Sequence, residues 1–245
     1  METDDYRPRH RGMPDAEPRR HGPVLPGLLI AACLIAFVLL RDPSTTSTKL
    51  RQFVSDLRAD DSTSYAFILE DPKGRPVGWD PCTPIDYVVN PQGAPRGWER
   101  TVDEAISVVE KASGFDFVSD GTTQNREFEQ RVAPNVLIAW AGPEEVTDLA
   151  GNAAGIGGST PLRSEGRTRF VSGVVVLDQG EYDVMVRTGR AKAMTLILAH
   201  ELGHVLGLDH VEDESQLMTR KYTGQSGFGD GDRAGFRALH DLTCS

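Results

Sequence analysis

The stretch HELGHVLGLDH at residues 200–210 places three histidines at successive spacings of four and six residues. Residues four apart lie on the same face of an α-helix, so His200 and His204 can point ring nitrogens at one ion. His210 would point away if the helix continued. Gly207 lies between them, and glycine enters left-handed backbone conformations at little cost. We therefore expect the helix to end at Gly207 and the chain to turn His210 back toward the other two histidines.

Three histidines in this arrangement predict a zinc site with one open position. Zinc in proteins is tetrahedral, and a fourth position that holds water marks a catalytic site, where the pKa of that water falls to about 7. A lone histidine is usually an ordinary surface or core side chain, but three of the chain's six lie in this stretch. Glu201 follows the first ligand and projects slightly around the helix, where its carboxylate would reach such a water. We expect one catalytic Zn²⁺ and a role for Glu201 as base and then acid.

With these residues the chain resembles the metzincin clan of zinc metalloproteases, whose signature is this extended motif followed by a methionine-containing turn. Met218 fits that turn, and its position eight residues after His210 is similar to the matrixin (matrix metalloprotease-like) family. Two features depart from related patterns. Arg220 stands where astacins and serralysins have a tyrosine, and the proline that usually follows the methionine in matrixins is missing. Ordinary core packing is the alternative role for Met218.

The resemblance implies an α+β fold with a twisted, mostly parallel sheet, an antiparallel edge strand, one backing helix and an active-site helix. In this family the edge strand binds an extended peptide above the zinc. The hydrophobic periodicity predicts strands at 65–69, 85–89, 115–118, 136–140 and 170–177, and helices at 98–111 and 194–205. Residues 150–158 are the candidate for the edge strand, with a flexible glycine-rich loop as the alternative.

Further metal ions are not expected from the sequence. Many animal matrixins hold a second, structural zinc through histidines upstream of the active-site helix, but no histidine lies between Cys82 and His200. A structural zinc is therefore not predicted. Asp178, Glu181 and Asp183 are interpreted as a solvated turn, although carboxylates at this spacing leave calcium open.

An apolar segment near the N-terminus predicts a membrane anchor. Residues 24–40 contain only apolar residues, proline and glycine, and a helix of these 17 residues would cover about 26 Å, close to the thickness of a hydrocarbon core. Basic residues precede the segment, which favours a cytoplasmic N-terminus and an extracytoplasmic catalytic domain at the cell membrane. The alternative is a secreted protein released by signal cleavage, but no A-x-A site follows the apolar run.

This segment divides the chain into four parts. Residues 1–23 are predicted to be a disordered cytoplasmic tail, residues 24–40 a transmembrane helix, residues 41–77 a linker or stalk with a short strand, and residues 78–245 the protease domain. Residues 50–58 have the spacing of a short helix.

From residue 42 onward the chain carries 20 of its 26 basic and 31 of its 36 acidic side chains. Such an acidic balance does not indicate a nucleic-acid binder, and the expected partners are a peptide or protein substrate and the membrane.

Two cysteines lie outside the apolar segment. Cys82 is near the start of the predicted protease domain and Cys244 is near its end, so a disulfide that ties the two ends together is expected in an exported protein. The alternative is that Cys82, in the stretch DPCTP, acts like the cysteine switch of matrixin propeptides, since a thiolate binds zinc well.

These patterns together predict a membrane-anchored, zinc-dependent endopeptidase. One alternative is a cell-surface binding module that keeps the zinc fold without catalysis, and the presence of Glu201 argues against it. Another alternative is hydrolysis of a non-peptide bond, which substrate profiling would distinguish.

Overall fold

The computed structural model describes residues 64–129, 133–151, 153–164 and 166–244. The predicted tail (1–23), membrane segment (24–40) and helix at 50–58 lie outside the described residues. Within the described ranges, no helix has both the length and the apolar character needed to cross a membrane.

Eleven α-helices and β-strands follow one another along the described chain, with one short 3₁₀ helix (Thr147–Leu149) between the fourth and fifth strands. They are β1 (Ala66–Phe67), β2 (Ile85–Asn90), α1 (Trp98–Ser113), β3 (Phe117–Thr122), β4 (Val136–Ala141), β5 (Gly155–Ser164), β6 (Arg167–Asp178), α2 (Gln179–Arg187), α3 (Ala191–Leu206), β7 (Leu208–Asp209) and α4 (Asp230–His240). Most of the predicted elements are present with boundaries shifted by a few residues.

Five of the strands form one sheet in the order β3-β2-β4-β6-β5. The pairs β2–β3, β2–β4 and β4–β6 are parallel, whereas β5 pairs antiparallel with β6 and is an edge strand. The central strand β4 reads VLIAWA and is buried along its whole length, as expected for a strand covered on both faces. The mostly parallel sheet with an antiparallel edge strand is therefore as predicted.

Helices α1 and α3 pack against each other, and α3 also packs against β5 and β6. In α1 the buried apolar residues Val102, Ala105, Ile106 and Val109 share one face, and the helix ends at Gly114, which has a φ of 78°. Helix α3 is buried nearly all round, because the sheet, α1 and α2 contact it from different sides. Because α3 is buried on most sides, the directions of His200 and His204 are fixed.

Two expectations differ from the structure. The edge strand runs over Gly155–Ser164 rather than residues 150–158, and it forms a long hairpin with β6 in which Ser164 pairs with Arg167. The predicted solvated turn at residues 178–183 is wrong. The Asp178 carboxylate accepts a hydrogen bond from the backbone N–H of Glu181 at 2.7 Å and caps the N-terminus of α2.

The segment before residue 78 packs on the protease domain and is not a separate stalk over its described part. β1 pairs antiparallel with β7, just before His210. Val77 is buried in the core, and the Trp79 indole N–H donates to the Val205 carbonyl at 2.8 Å. A disulfide joins Cys82 to Cys244 across 162 residues of sequence, with the two Cα atoms 5.6 Å apart.

Candidate functional site

Three imidazole nitrogens meet at the C-terminal half of α3. The Nε2 atoms of His200 and His204 are 3.1 Å apart, those of His204 and His210 are 3.2 Å apart, and those of His200 and His210 are 3.3 Å apart. His200 and His204 lie one turn apart on α3. The helix ends at Leu206, and Gly207, with a φ of 123°, turns the chain so that β7 brings His210 to the other two.

The contacts of the Nδ1 atoms show which ring nitrogen of His200 and His204 carries the proton. Nδ1 of His200 is 2.6 Å from the carbonyl oxygen of Leu217, and Nδ1 of His204 is 2.7 Å from that of Leu208. A carbonyl only accepts, so each Nδ1 carries the proton and each Nε2 presents a lone pair. Burial lowers the pKa of His200 to about 3 and that of His204 to about 4. Both rings are therefore neutral at physiological pH.

This arrangement fits a tetrahedral metal ion. Zinc–nitrogen bonds of 2.0–2.1 Å in a tetrahedron place the ligand nitrogens about 3.3 to 3.4 Å apart, close to the three distances observed here. The Nε2 lone pairs of His200 and His204 face each other without a proton between them, and they repel each other unless a cation lies beside them. His200, His204 and His210 could therefore hold a metal ion.

His210 differs from the other two histidines in its surroundings. It is half-buried, and its Nδ1 lies 4.0 Å from the Asp209 carboxylate and 3.4 Å from the Arg220 guanidinium. Burial, followed by the charge of Arg220, lowers the pKa of His210. The ring is therefore neutral as well, and it forms the solvent-facing side of the site.

The turn that contains Met218 lies directly beneath α3. A Cβ at Gly203 would lie 2.5 Å from the sulfur of the buried Met218, so glycine lets the turn approach the helix without displacing this side chain. The Asp232 carboxylate, near the start of α4, accepts hydrogen bonds from the backbone N–H groups of Leu217 at 2.6 Å and Met218 at 3.3 Å. The Leu217 carbonyl contacts His200, so Asp232 helps to position His200 by holding this turn.

Glu201 lies between α3 and the edge strand β5 and is only 7% exposed. β5 approaches closely because it begins with glycines. A Cβ at Gly155 would lie 3.0 Å from Cγ of Glu201, and one at Gly157 would overlap the main-chain carbonyl of Glu201. Burial raises the pKa of Glu201 to about 8. A positive charge held by the histidines would favour the ionised carboxylate and lower this pKa.

A family model described as Matrixin matches residues 94–241, which is more than half of the chain. The chain belongs to the matrixin family. Matrixins are zinc metalloendopeptidases, so the chain is a zinc metalloendopeptidase and the three histidines form a group that could bind its metal. A comparison with curated proteins found no match.

For this matrixin, the structure brings together most of the residues selected from the sequence. His200, Glu201, His204, His210 and Met218 lie in one region, with Gly207 at the turn. The disulfide between Cys82 and Cys244 occupies the thiol that a cysteine switch would need.

Several residues around this matrixin site were missed in the sequence. The carbonyl oxygens of Leu208 and Leu217 carry no sequence signal, because every residue has one. Asp232 has a sequence signal only as an acidic residue at the start of a helix, where it accepts from the Gly229 N–H at 2.9 Å as one half of a capping box, and nothing in the sequence links it to the Met218 turn. The sequence marks Gly155 and Gly157 only as part of the strand candidate at residues 150–158.

Proposed function

We propose that this matrixin is a membrane-anchored endopeptidase that cleaves extended peptides at the site formed by α3, β5 and the Met218 turn. His200, His204 and His210 hold one zinc ion, and Glu201 transfers the proton in the reaction. The observation that carries this proposal is the convergence of three Nε2 atoms within 3.3 Å beside the buried Glu201 carboxylate.

The edge strand β5 supports an extended peptide as substrate. β5 is paired with β6 on one side only, so its other edge presents backbone N–H and C=O groups that a peptide can pair with as an added strand. Gly155 and Gly157 bring this edge against Glu201. A peptide held there would have its backbone beside the carboxylate and the histidines.

The carboxylate of Glu201 is the group that moves the proton in this scheme. Zinc, when bound, would supply Lewis acidity that polarises the scissile carbonyl and acidifies a water molecule. One Oε of Glu201 accepts a proton as the water oxygen bonds to the carbonyl carbon. The same oxygen then delivers this proton to the amide nitrogen as the carbon–nitrogen bond breaks. The neutral imidazoles of the three histidines bind and orient, and they exchange no proton.

A substitution of Glu201 tests this role. Full-length wild-type chain is expected to contain about one zinc per molecule and to cleave internal bonds of a peptide library, with cleavage abolished by a chelator and restored by zinc. Glu201→Gln should keep the zinc but lower kcat/KM by about 100-fold or more, because general acid–base catalysis contributes about 10² to 10⁴. The exposed Glu181→Gln is the matched control. Full activity of Glu201→Gln would refute its role, and folded wild type without zinc would refute the ligand assignment.

Membrane anchoring through residues 24–40 is the second part of the proposal. It is supported by the length and composition of this segment and by the basic residues before it. Fractionation of cells that express the full chain should place it in the membrane, and deletion of residues 24–40 should release it. Recovery of a soluble wild-type chain whose N-terminus lies after residue 40 would instead show cleavage of a signal.

A further inference from the structure

A groove of about 620 Å³ lies at the far end of the β5–β6 hairpin, away from the histidines. Its walls are the hairpin end, the loop at residues 71–77 and the C-terminal segment at residues 241–243. We call it the basic groove, because its described lining contains five cationic side chains and two carboxylates. The cations are Lys73, Arg75, Arg163, Arg167 and Arg169, and the carboxylates are Asp71 and Asp241.

The charge of the basic groove is opposite to that of the chain as a whole, which is −10. Arg75 pairs with Asp71 at 2.7 Å. Arg167 donates to the Cys244 carbonyl at 3.1 Å and Arg169 donates to the Thr243 carbonyl, and these uncharged acceptors hold the guanidinium groups without neutralising them. The groove therefore keeps an excess of positive charge that suits carboxylates, which arginine binds in a bidentate manner.

The basic groove and the candidate active site are connected by the strand β5. The hairpin has one register shift, which leaves Val171 of β6 without a paired residue and keeps β5 regular. Side chains alternate along a regular strand, so Gly157, Ser159 and Arg163 lie on the same face of β5. Gly157 lies against Glu201, Ser159 donates to the Val205 carbonyl at 2.7 Å, and Arg163 lines the groove. The six residues from Gly157 to Arg163 span about 20 Å. A peptide that pairs with the edge of β5 at Glu201 therefore extends toward the groove.

We propose that the basic groove is a second substrate-binding site that selects peptides with aspartate or glutamate about six to eight residues from the scissile bond. This inference rests on the proposed endopeptidase function and names its substrate class. Antiparallel strand pairs are two to three times as common as parallel ones, so we take the substrate to pair antiparallel with β5, which places the acidic residues on the N-terminal side of the cleaved bond. The concave shape of the groove and its position at the end of β5 favour a substrate segment over a flat membrane surface.

A set of peptides with one cleavable centre tests this proposal on the full-length chain in detergent micelles with zinc. One peptide carries three aspartates six to eight residues before the centre, a second carries them after it, and a third has asparagines at both places. The first peptide should be cleaved with a kcat/KM about fivefold to tenfold above that of the third, from several weak charge pairs. This gain should disappear at high salt, because exposed charges are screened.

A variant with two charges reversed inside the basic groove is compared with a variant that has two charges reversed outside it. Lys73→Glu with Arg163→Glu should remove the preference for the acidic peptide and leave cleavage of the asparagine peptide unchanged. Arg187→Glu with Lys192→Glu makes the same change of charge on α2 and α3, outside the groove, and should keep the preference.

The outcomes separate this inference from the proposed function. Wild type that cleaves none of the peptides contradicts the endopeptidase proposal itself. Cleavage without any effect of the aspartates, or an equal gain from either side of the centre, overturns the role of the basic groove alone. The chain can also be reconstituted in phosphatidylcholine vesicles with and without phosphatidylglycerol. A preference that phosphatidylglycerol abolishes would reassign the groove to anionic headgroups.

Discussion

Gly157 brings the edge strand β5 against the active-site helix, because only a hydrogen at this position leaves room for the Glu201 carbonyl. Gly157→Ala should push β5 away from α3, lower the free energy of unfolding by about 1 to 3 kcal/mol and reduce kcat/KM. Denaturant unfolding and peptide cleavage measure the two effects.

The neighbouring Gly158 is the control for this substitution. No atom lies within 4 Å of a Cβ built there, so Gly158→Ala should change stability and activity little. Equal effects of the two substitutions would show that the loss comes from glycine's backbone freedom rather than from contact with α3.

The residues of the candidate metal site could be predicted because they are close together in the sequence. His200, Glu201, His204 and His210 lie within eleven residues, and their chemistry restricts their spacing. Asp232 could not be assigned, because its contact with Leu217 crosses 15 residues and depends on how α4 packs. The role of Arg163 could not be predicted either, because the basic groove that it lines is formed by segments distant in sequence.

At the scale of elements, α4 and the Met218 turn are joined through Asp232. Asp232→Asn would replace one accepting oxygen by an N–H₂ group that cannot accept from the turn's N–H groups. We expect an unfolding free energy about 1 to 3 kcal/mol lower and, because His200 loses its fixed orientation, a zinc affinity about 10- to 100-fold weaker.

Two measurements on Asp232→Asn separate these effects. Competition with a chromophoric chelator gives the zinc affinity, and denaturant unfolding of the zinc-free protein gives the stability. Asp230→Asn, an exposed substitution in the same helix, is the control. Unchanged zinc affinity in Asp232→Asn would contradict a positioning role for this carboxylate.

We expect the start of the Met218 turn, at Asp213, to be sensitive to acid. Hydrogen bonds from the Ser215 hydroxyl, the Ser215 backbone N–H and the Gln216 amide lower the pKa of Asp213 to about 2. A carboxyl whose pKa is lowered by folding stabilises the fold above its unfolded pKa of about 3.9, and this contribution is lost as the pH falls toward 2. Asp213→Asn should therefore lose less stability than wild type between about pH 5 and pH 2.

Acid unfolding curves of the two proteins, with an NMR titration of Asp213, check this expectation. A measured pKa of Asp213 near that of a free aspartate would contradict the hydrogen-bonded turn.

The elements were predicted to different extents for physical reasons. β4 and α1 have uniform apolar or helical patterns and were found with small shifts in their ends. The C-terminal half of β5 was not predicted, because it contains polar and charged residues and pairs with the end of β6 that also contains charged residues. Helix α4 was missed because glycines at 231 and 235, which let Ser64 and Leu208 approach closely, weaken its helical pattern.

On the scale of the whole molecule, the disulfide between Cys82 and Cys244 closes a loop of 162 residues. Replacing both cysteines by serine should lower the free energy of unfolding by about 2 to 5 kcal/mol, because the unfolded chain regains the entropy of that loop. Calorimetry with and without reductant measures the effect. Wild type should show it only with reductant, and the double variant should be insensitive to reductant. Equal unfolding temperatures for all four samples would contradict a stabilising bond.

The same bond also affects how self-digestion of this protease would be observed. Any single cut between residues 82 and 244 leaves two fragments that remain covalently joined. A preparation nicked by its own activity would therefore migrate as one band of full mass on a non-reducing gel and as two shorter bands after reduction. Homogeneity judged by size alone would overlook autolysis, and the two gels run side by side would locate the loop that is cut first.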